Sequence, residues 1–187
     1  MGEVLEVRGR AAARYLDVPQ DAVRRARAAK LIRDCGEGFD AAHVLELGAR
    51  PYVEDDELQR FAAGSILFVQ QSPVVWYGPD DDDLRWLPAY GWSSLLTMEE
   101  ALLSACGWWP IDPSRRTALR GVVSAVSTFV VTIGVVDPHH PVAAESGGKI
   151  RLNIGAATDD DPTGRALRRV FAGRRMRSRP GSSFTLP

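Results

Sequence analysis

The stretch GRAAARYLDVPQDAVRRARAAKLI, from Gly9 to Ile32, decides how the N-terminal third of this chain folds. Its apolar residues recur at helical spacing, which predicts two short helices that each bury one face against a common core. These apolar residues are Ala12, Ala13, Leu16, Val23 and Ala26. Because proline has a fixed φ and no N–H to donate, Pro19 belongs in the first turn of a helix. The second helix is therefore predicted from about Pro19 to Ala29, after a tight turn.

The second helix carries its polar side chains on the side opposite Val23. At about 100° per residue, the residues that point away from the buried direction are Asp21, Arg24, Arg25 and Ala28, with Gln20 on the flank. A polar helix face of this kind fits the major groove of duplex DNA. The pattern therefore predicts duplex DNA as the first partner to test.

The same stretch resembles the DNA-binding domain of the MerR and excisionase group of winged helix-turn-helix proteins. The recognition helix of that group follows the pattern Thr-Ile-Arg-Tyr-Tyr-Glu-x-x-Gly-Leu-Ile, which aligns without a gap with residues 22–32, AVRRARAAKLI. The positions that match are Val23, Arg24, Leu31 and Ile32. The preceding AARYLDV fits the pattern Ala-Ala-x-x-Leu-Gly-Val, and the run from Phe39 to Leu47 fits the helix that follows the wing.

This resemblance covers roughly residues 9 to 50 and implies a winged helix-turn-helix that binds duplex DNA. Two residues depart from the pattern, because Asp17 and Lys30 stand where the group has glycines. The second of these glycines ends a helix in the left-handed conformation, in which a side chain costs about 1 kcal/mol. The chain also lacks the Arg-x-Tyr pair of the wing, so the sequence gives no basis for a phosphate contact there.

Composition places the chain among globular proteins of the cytoplasm, with a nucleoid association expected from DNA binding. Its 187 residues with 45% hydrophobic content can form one mid-sized domain or two small ones. Cys35 and Cys106 lie far apart and have no disulfide or metal-ligand spacing. The first residues, MGEVLEV, lack the features of a secretory signal. The uncharged run from Gly121 to Val136 has 16 residues, too few for a membrane helix, and its β-branched residues favour strands.

Charge is distributed unevenly, although the formal net charge is only −1. Residues 1–50 carry nine basic and eight acidic groups, residues 51–113 two and eleven, and residues 114–187 twelve and five. Seven arginines lie within 15 residues near the end of the chain: Arg165, Arg168, Arg169, Arg174, Arg175, Arg177 and Arg179. A cluster of that density is expected to neutralise several phosphates of a nucleic acid.

From Pro51 onward the sequence predicts an α+β domain, 51–187, with a mostly antiparallel sheet. Helices are predicted from Glu54 to about Ala63 and from Leu95 to Gly107, and Thr97 with Glu100 forms a capping box at the second. Strands are predicted at 65–71, 73–77, 119–127, 128–137, 149–155 and 183–186, with a loop at 138–148.

Five tryptophans lie between Trp76 and Trp109, and they favour packing of the sheet against the Thr97 helix. The alternative is that Trp108 and Trp109 stack on a flipped or unpaired base. This part of the chain is faintly similar to PUA-like readers of nucleic acids. The similarity lies in the order of its segments: a helix, Gly-Trp-Trp, basic residues, two β-rich runs and a terminal Gly-Arg-Arg. That alternative predicts binding of single strands, RNA or a modified base.

Support for an enzyme is small. The four aspartates from Asp80 to Asp83 are expected to form a solvated loop, because no calcium-loop pattern of alternating ligands surrounds them. The chain shows no glycine-rich phosphate loop, no Gly-x-Ser-x-Gly and no His-Glu-x-x-His. The alternative is a metal-dependent nuclease that uses these aspartates with Glu99 or Glu100. We expect neither cofactor nor metal, and His43, His139 and His140 are expected to be structural or exposed.

The sequence therefore predicts a DNA-binding protein in two parts, a winged helix-turn-helix at 1–50 and the α+β domain that follows. The groove-reading residues are predicted to be Gln20, Asp21, Arg24, Arg25, Arg27 and Lys30. The seven arginines near the C-terminus are predicted to hold the phosphate backbone. A homodimer is left open. Because the sequence has no coiled-coil heptads, such a dimer would have to use another surface.

Overall fold

The computed structural model describes residues 5–62, 65–76, 89–177 and 183–185. Its N-terminal part contains three helices and a small antiparallel sheet, and its strands lie in the order β1-β3-β2. The elements are β1 (Glu6–Val7), α1 (Gly9–Tyr15), α2 (Gln20–Ala28), β2 (Asp34–Cys35), β3 (Gly38–Asp40) and α3 (Ala41–Gly48). The two predicted helices are thus confirmed, and Pro19 is the residue that caps α2. Asp40 caps α3 by accepting from the backbone of Ala42 and His43.

Two residues of the N-terminal part, Asp17 and Lys30, have an unusual backbone conformation. Asp17 has a φ of 49° and Lys30 a φ of 57°, so both lie in the left-handed region that favours glycine. They stand where the MerR and excisionase pattern has its glycines. The chain therefore makes both of these turns with side chains in place, at a cost in stability.

The second part is built on a five-stranded mixed sheet in the order β11-β8-β7-β4-β12. Its strands are β4 (Ile66–Gln71), β7 (Gly121–Val126), β8 (Phe129–Val136), β11 (Ile154–Ala156) and β12 (Ser183–Thr185). Neighbours pair antiparallel except for β4 and β7, which run parallel. The α+β class is confirmed, and the mostly antiparallel sheet agrees with the prediction.

Helices and two small ribbons cover this sheet. α5 (Met98–Cys106) begins at Thr97, where the predicted capping box with Glu100 is present. α7 (Pro162–Phe171) packs Leu167, Val170 and Phe171 against the other face. The remaining elements are α4 (Asp55–Leu58), β5 (Val75–Trp76), β6 (Ala89–Tyr90), α6 (Pro113–Arg116), β9 (Val142–Ser146) and β10 (Lys149–Leu152).

Several predicted boundaries in the second part are wrong. α4 is a single turn rather than a helix to Ala63, since its capping box of Glu54 and Glu57 serves only four residues. The stretch 138–148 is not a simple loop, because β9 pairs there with β10. The prediction also missed α7, although Asp161 caps it, Pro162 occupies its first turn and its apolar residues have helical spacing.

The two parts of the chain contact each other directly. Phe129, the first residue of β8, is fully buried among N-terminal residues such as Leu16 and Leu47. A second contact joins Ala29, at the end of α2, to Trp92 and Val126. The N-terminal part thus packs directly against the second part of the chain.

Candidate nucleic-acid interface

α2 presents one polar face to solvent, as its periodicity predicts. Ala22, Val23 and Ala26 are at most 4% exposed, so the helix is covered on its inner sides. The residues predicted to read DNA are all exposed: Gln20, Asp21, Arg24, Arg25, Arg27 and Lys30. The structure therefore brings these six together on one accessible surface, while their role in DNA binding stays a prediction.

Two carboxylates hold some of these cations in place. Arg24 Nη1 lies 3.0 Å from Asp21 Oδ1, one helical turn away. Asp34, on β2, pairs with Arg27 Nε at 2.7 Å and with Lys30 Nζ at 3.8 Å. Because these pairs are largely exposed, each is worth little and can exchange for a stronger partner. Arg25 has no such carboxylate among the described residues.

The second part fixes α2 by donating hydrogen bonds to one carbonyl in its first turn and to two carbonyls just after its last residue. Ser127 Oγ donates to the carbonyl of Ala22 at 2.8 Å. Ser94 donates from its backbone N–H to Ala29 at 3.0 Å and from its Oγ to Lys30 at 2.8 Å. Carbonyls at the end of a helix lack partners within it, so the two bonds from Ser94 satisfy groups that would otherwise need water. The polar face of α2 is thus carried on a helix whose position is fixed.

Arg175 corrects the prediction for the C-terminal arginines, because it is buried and serves as an anchor. Its side chain, in a residue only 2% exposed, donates to the carbonyls of Leu16 and Gly48 and to Thr128 Oγ1. The first two carbonyls lie at the ends of α1 and α3, where the helix dipole favours a positive charge. Burial lowers the pKa of Arg175, an effect that the charge of Asp17 partly offsets. A buried guanidinium with these partners is not available to a phosphate.

Aromatic rings enclose the same guanidinium. Its Cζ lies 4.3 Å from the ring centroid of Tyr52 and 5.1 Å from that of Phe129. Both distances are within the range of cation–π attraction. Arg175 therefore joins three segments of the chain, namely the N-terminal helices, the residues that follow Pro51 and the start of β8.

Most other arginines of the predicted cluster are also engaged within the chain. Arg174 Nη2 lies 2.7 Å from Glu57 Oε2 and donates to the carbonyl of Tyr52. The hydrogen bond from the Glu54 backbone, followed by that from Arg174, lowers the pKa of Glu57. The pair is 20% exposed on both sides, so a phosphate would have to displace Glu57 from Arg174, and the phosphate contact there stays a prediction. Arg177 lies 3.7 Å from Glu54 and is well exposed.

The arginines of α7 differ in whether they have partners within the chain. Arg165 donates twice to the carbonyl of Asp159, and Arg168 lies 3.2 Å from the carboxylate of the same residue. Arg169 is exposed and has no partner among the described residues. Arg179 lies outside the described residues. The described members of the predicted cluster thus do not form one basic surface, since most of them contact different acids and carbonyls.

The tryptophans predicted to stack on a base are at least partly structural. Trp109 is half-buried, donates from Nε1 to the carbonyl of Ala105 at 3.2 Å, and pairs its backbone with Ile150. Its ring also lies against Gly107, where a side chain would collide with it. Trp109 is thus engaged in the fold, and its stacking on a base stays a prediction. Trp108 is half-buried beside it and is engaged within the chain.

The sequence reading overlooked two exposed arginines on α1. Arg10 and Arg14 line a cleft of about 540 Å³ between α1 and the start of α2, together with Asp17, Pro19 and Gln20. The missed signal is their spacing, because residues four apart lie on the same helix face. Ala12 and Ala13, on the same helix, are buried in the N-terminal core.

Few groups in the described part of the chain could support catalysis. No group of three or more metal-ligating side chains occurs among the residues searched. Asp80 to Asp83 lie outside the described residues, and Glu100 is committed to the cap of α5, where hydrogen bonds from Thr97 lower its pKa. Burial raises the pKa of Cys106 to about 11, so this thiol is a poor nucleophile.

The histidines occupy separate places. His43, on α3, accepts the backbone N–H of Arg33 at Nδ1 over 3.1 Å. Burial, followed by the charge of Arg33, lowers the pKa of His43. His139 and His140 are exposed in a loop whose backbone is held by Asp137.

Comparison with protein-family models, with curated proteins and with solved structures finds no match to the chain. No helix within the described ranges is long and apolar enough to cross a membrane.

Proposed function

We propose that the protein binds duplex DNA, with α2 lying in the major groove and reading base edges. The observation that carries this proposal is the face of α2, on which five polar or charged side chains are exposed, with Lys30 just beyond the end of the helix, while Ala22, Val23 and Ala26 are buried. A helix is about 10–12 Å across with its side chains, which fits a major groove about 12 Å wide. The width of α2 and the polar side chains on its exposed face thus both favour the major groove of duplex DNA.

The order of elements around α2 supports a winged helix-turn-helix. α1 and α2 cross after a tight turn, the β2–β3 hairpin follows, and α3 packs on α1. The left-handed residues Asp17 and Lys30 stand at the two glycine positions of the MerR and excisionase pattern. In such domains the second helix enters the groove and the first crosses the backbone.

The side chains on α2 predict which bases are preferred. Arginine binds the O6 and N7 of guanine, glutamine binds adenine, and an acidic side chain accepts from the N4 amine of cytosine. Arg24 and Asp21 already form a pair, so a G·C base pair could satisfy both after the pair exchanges its partners. Asp21 also repels phosphate, which disfavours binding that ignores sequence.

The test is selection of duplexes from a random library by the full chain, followed by titration of the selected duplex and a scrambled one. Arg24→Ala is expected to weaken the selected complex by about 1–3 kcal/mol and the scrambled one much less. Arg60→Ala, an exposed arginine outside this surface, is the matched control. Absence of any duplex binding by the wild-type chain, or equal losses on both duplexes, would contradict the proposal.

A second candidate is binding of single-stranded nucleic acid, and the exposure of Trp76 favours it. Trp76 is 54% exposed on the β5–β6 ribbon, beside Val75, which is 46% exposed. Bases stack readily on accessible aromatic rings. Quenching of tryptophan fluorescence by single strands, lost in Trp76→Ala and stronger than quenching by duplex, would favour this candidate over groove reading.

A further inference from the structure

We infer that Arg10 and Arg14 form a phosphodiester-binding site, in the cleft between α1 and the start of α2, that supplies the affinity for the DNA backbone. This inference rests on the proposed function and assigns to α1 the role that the sequence suggested for the C-terminal arginines.

The two arginines are available to a ligand. Both are exposed, and neither has a carboxylate partner among the described residues. Arg165, Arg168, Arg174 and Arg177 all have carbonyl or carboxylate partners within the chain. A cation that is free before binding gives up no ion pair when it meets a phosphate, so its whole attraction counts toward affinity.

The clefts on this surface connect the two helices. The cleft of about 540 Å³ is lined by Arg10, Arg14 and Gln20, among others. A second cleft of about 210 Å³ shares Arg10 and Gln20 and continues to Arg24 and Arg27. Arg10 and Gln20 thus lie where the two clefts meet. A duplex whose groove receives α2 therefore brings its backbone over α1.

The acid in the larger cleft does not cancel its positive charge. Asp17 is the carboxylate that lines it, against the two guanidinium groups of Arg10 and Arg14, so the lining keeps a net positive charge. Arg10 and Arg14 lie one turn apart on α1, about 6 Å along the helix axis. They can therefore contact phosphates with two separate guanidinium groups, each of which suits a phosphate geometrically.

Salt dependence tests this site, because each phosphate contact releases counterions. The full chain is titrated with its selected duplex and with a scrambled duplex at several salt concentrations. For the double variant Arg10→Gln, Arg14→Gln, the slope of log K against log salt is expected to flatten by about 2, equally on both duplexes. Replacement of both residues by lysine should keep most of the wild-type slope, since the charge remains.

Arg169→Gln is the matched control, because this arginine is equally exposed and free but belongs to the C-terminal cluster. Its slope should equal that of the wild type. A flattened slope for Arg169→Gln with an unchanged slope for the α1 variant would overturn the inference while duplex binding itself stands. A loss confined to the selected duplex would also overturn it, since the arginines would then read bases. If the wild-type chain binds no duplex at low salt, the proposed function fails and the inference with it.

Discussion

Replacement of Arg175 by alanine tests whether this arginine anchors the fold or holds a ligand. The side chain is buried, contacts two carbonyls and a hydroxyl, and lies between two aromatic rings. If it is an anchor, its removal leaves buried acceptors without a donor. If it is a phosphate ligand, its removal leaves the fold as stable as before.

The expected loss follows from these contacts. All three bonds are charge-assisted: the bond to Leu16 contributes up to about 3 kcal/mol, whereas the bonds to Gly48 at 3.5 Å and to Thr128 at 3.3 Å are long and contribute about 1 kcal/mol each. The two ring contacts add about 1 kcal/mol each. Removing the buried charge also removes its desolvation cost, which is several kcal/mol. The net loss in the free energy of unfolding is therefore about 3 kcal/mol.

Urea denaturation followed by circular dichroism measures this loss. With an m-value of about 2 kcal/mol/M, the midpoint of Arg175→Ala should fall by roughly 1.5 M. Arg169→Ala, at an exposed position, should stay within about 0.5 kcal/mol of the wild type. A midpoint for Arg175→Ala equal to that of the wild type, together with a flattened salt slope for DNA, would show that the side chain is free in solution and refute the anchoring role.

Three further predictions concern single groups of the fold. Lys30→Gly should raise the free energy of unfolding by about 0.5–1 kcal/mol, measured by thermal or urea denaturation, because glycine removes the left-handed strain at a φ of 57°. Because burial lowers the pKa of His43, its contribution to stability is complete above its unfolded value of about 6.5 and is lost as the pH falls through the folded value. His43→Gln, which can still accept from Arg33, should therefore show a weaker dependence of the urea midpoint on pH between 8 and 5 than the wild type. Thr97→Ala should cost about 1 kcal/mol, because its Oγ1 accepts the backbone N–H of Glu100, and an unchanged melting temperature would contradict that capping role.

Local patterns in the sequence predicted much of the fold. The apolar spacing around Val23 placed α2, the proline before it set its start, and the β-branched run from Gly121 to Val136 became β7 and β8. The capping box at Thr97 placed α5. Each of these signals is contained within a few neighbouring residues, so it does not depend on contacts with distant parts of the chain.

The interface could be predicted only in part, because a charge pattern does not tell whether a side chain is exposed. Arg174 and Arg175 belong to a dense basic run in the sequence, yet the fold carries carbonyls from α1 and α3 and a carboxylate from α4 to them. These acceptors lie more than a hundred residues away along the chain. The spacing of Arg10 and Arg14 was visible, but the cleft beside them exists only once α2 packs against α1.

Anchoring and backbone binding should leave different traces in the same titration. An arginine that contacts a phosphate changes the slope of log K against log salt, because it changes how many counterions are released. An arginine that fixes α2 changes only the fraction of molecules in which the recognition surface is formed, and the apparent affinity falls by that fraction at every salt concentration. Variants of Arg175 and Ser127 should therefore shift the line without tilting it, whereas variants of Arg10 and Arg14 should tilt it. The slope thus distinguishes an arginine that holds the helix from one that holds the DNA, even where both variants bind equally weakly at a single salt concentration.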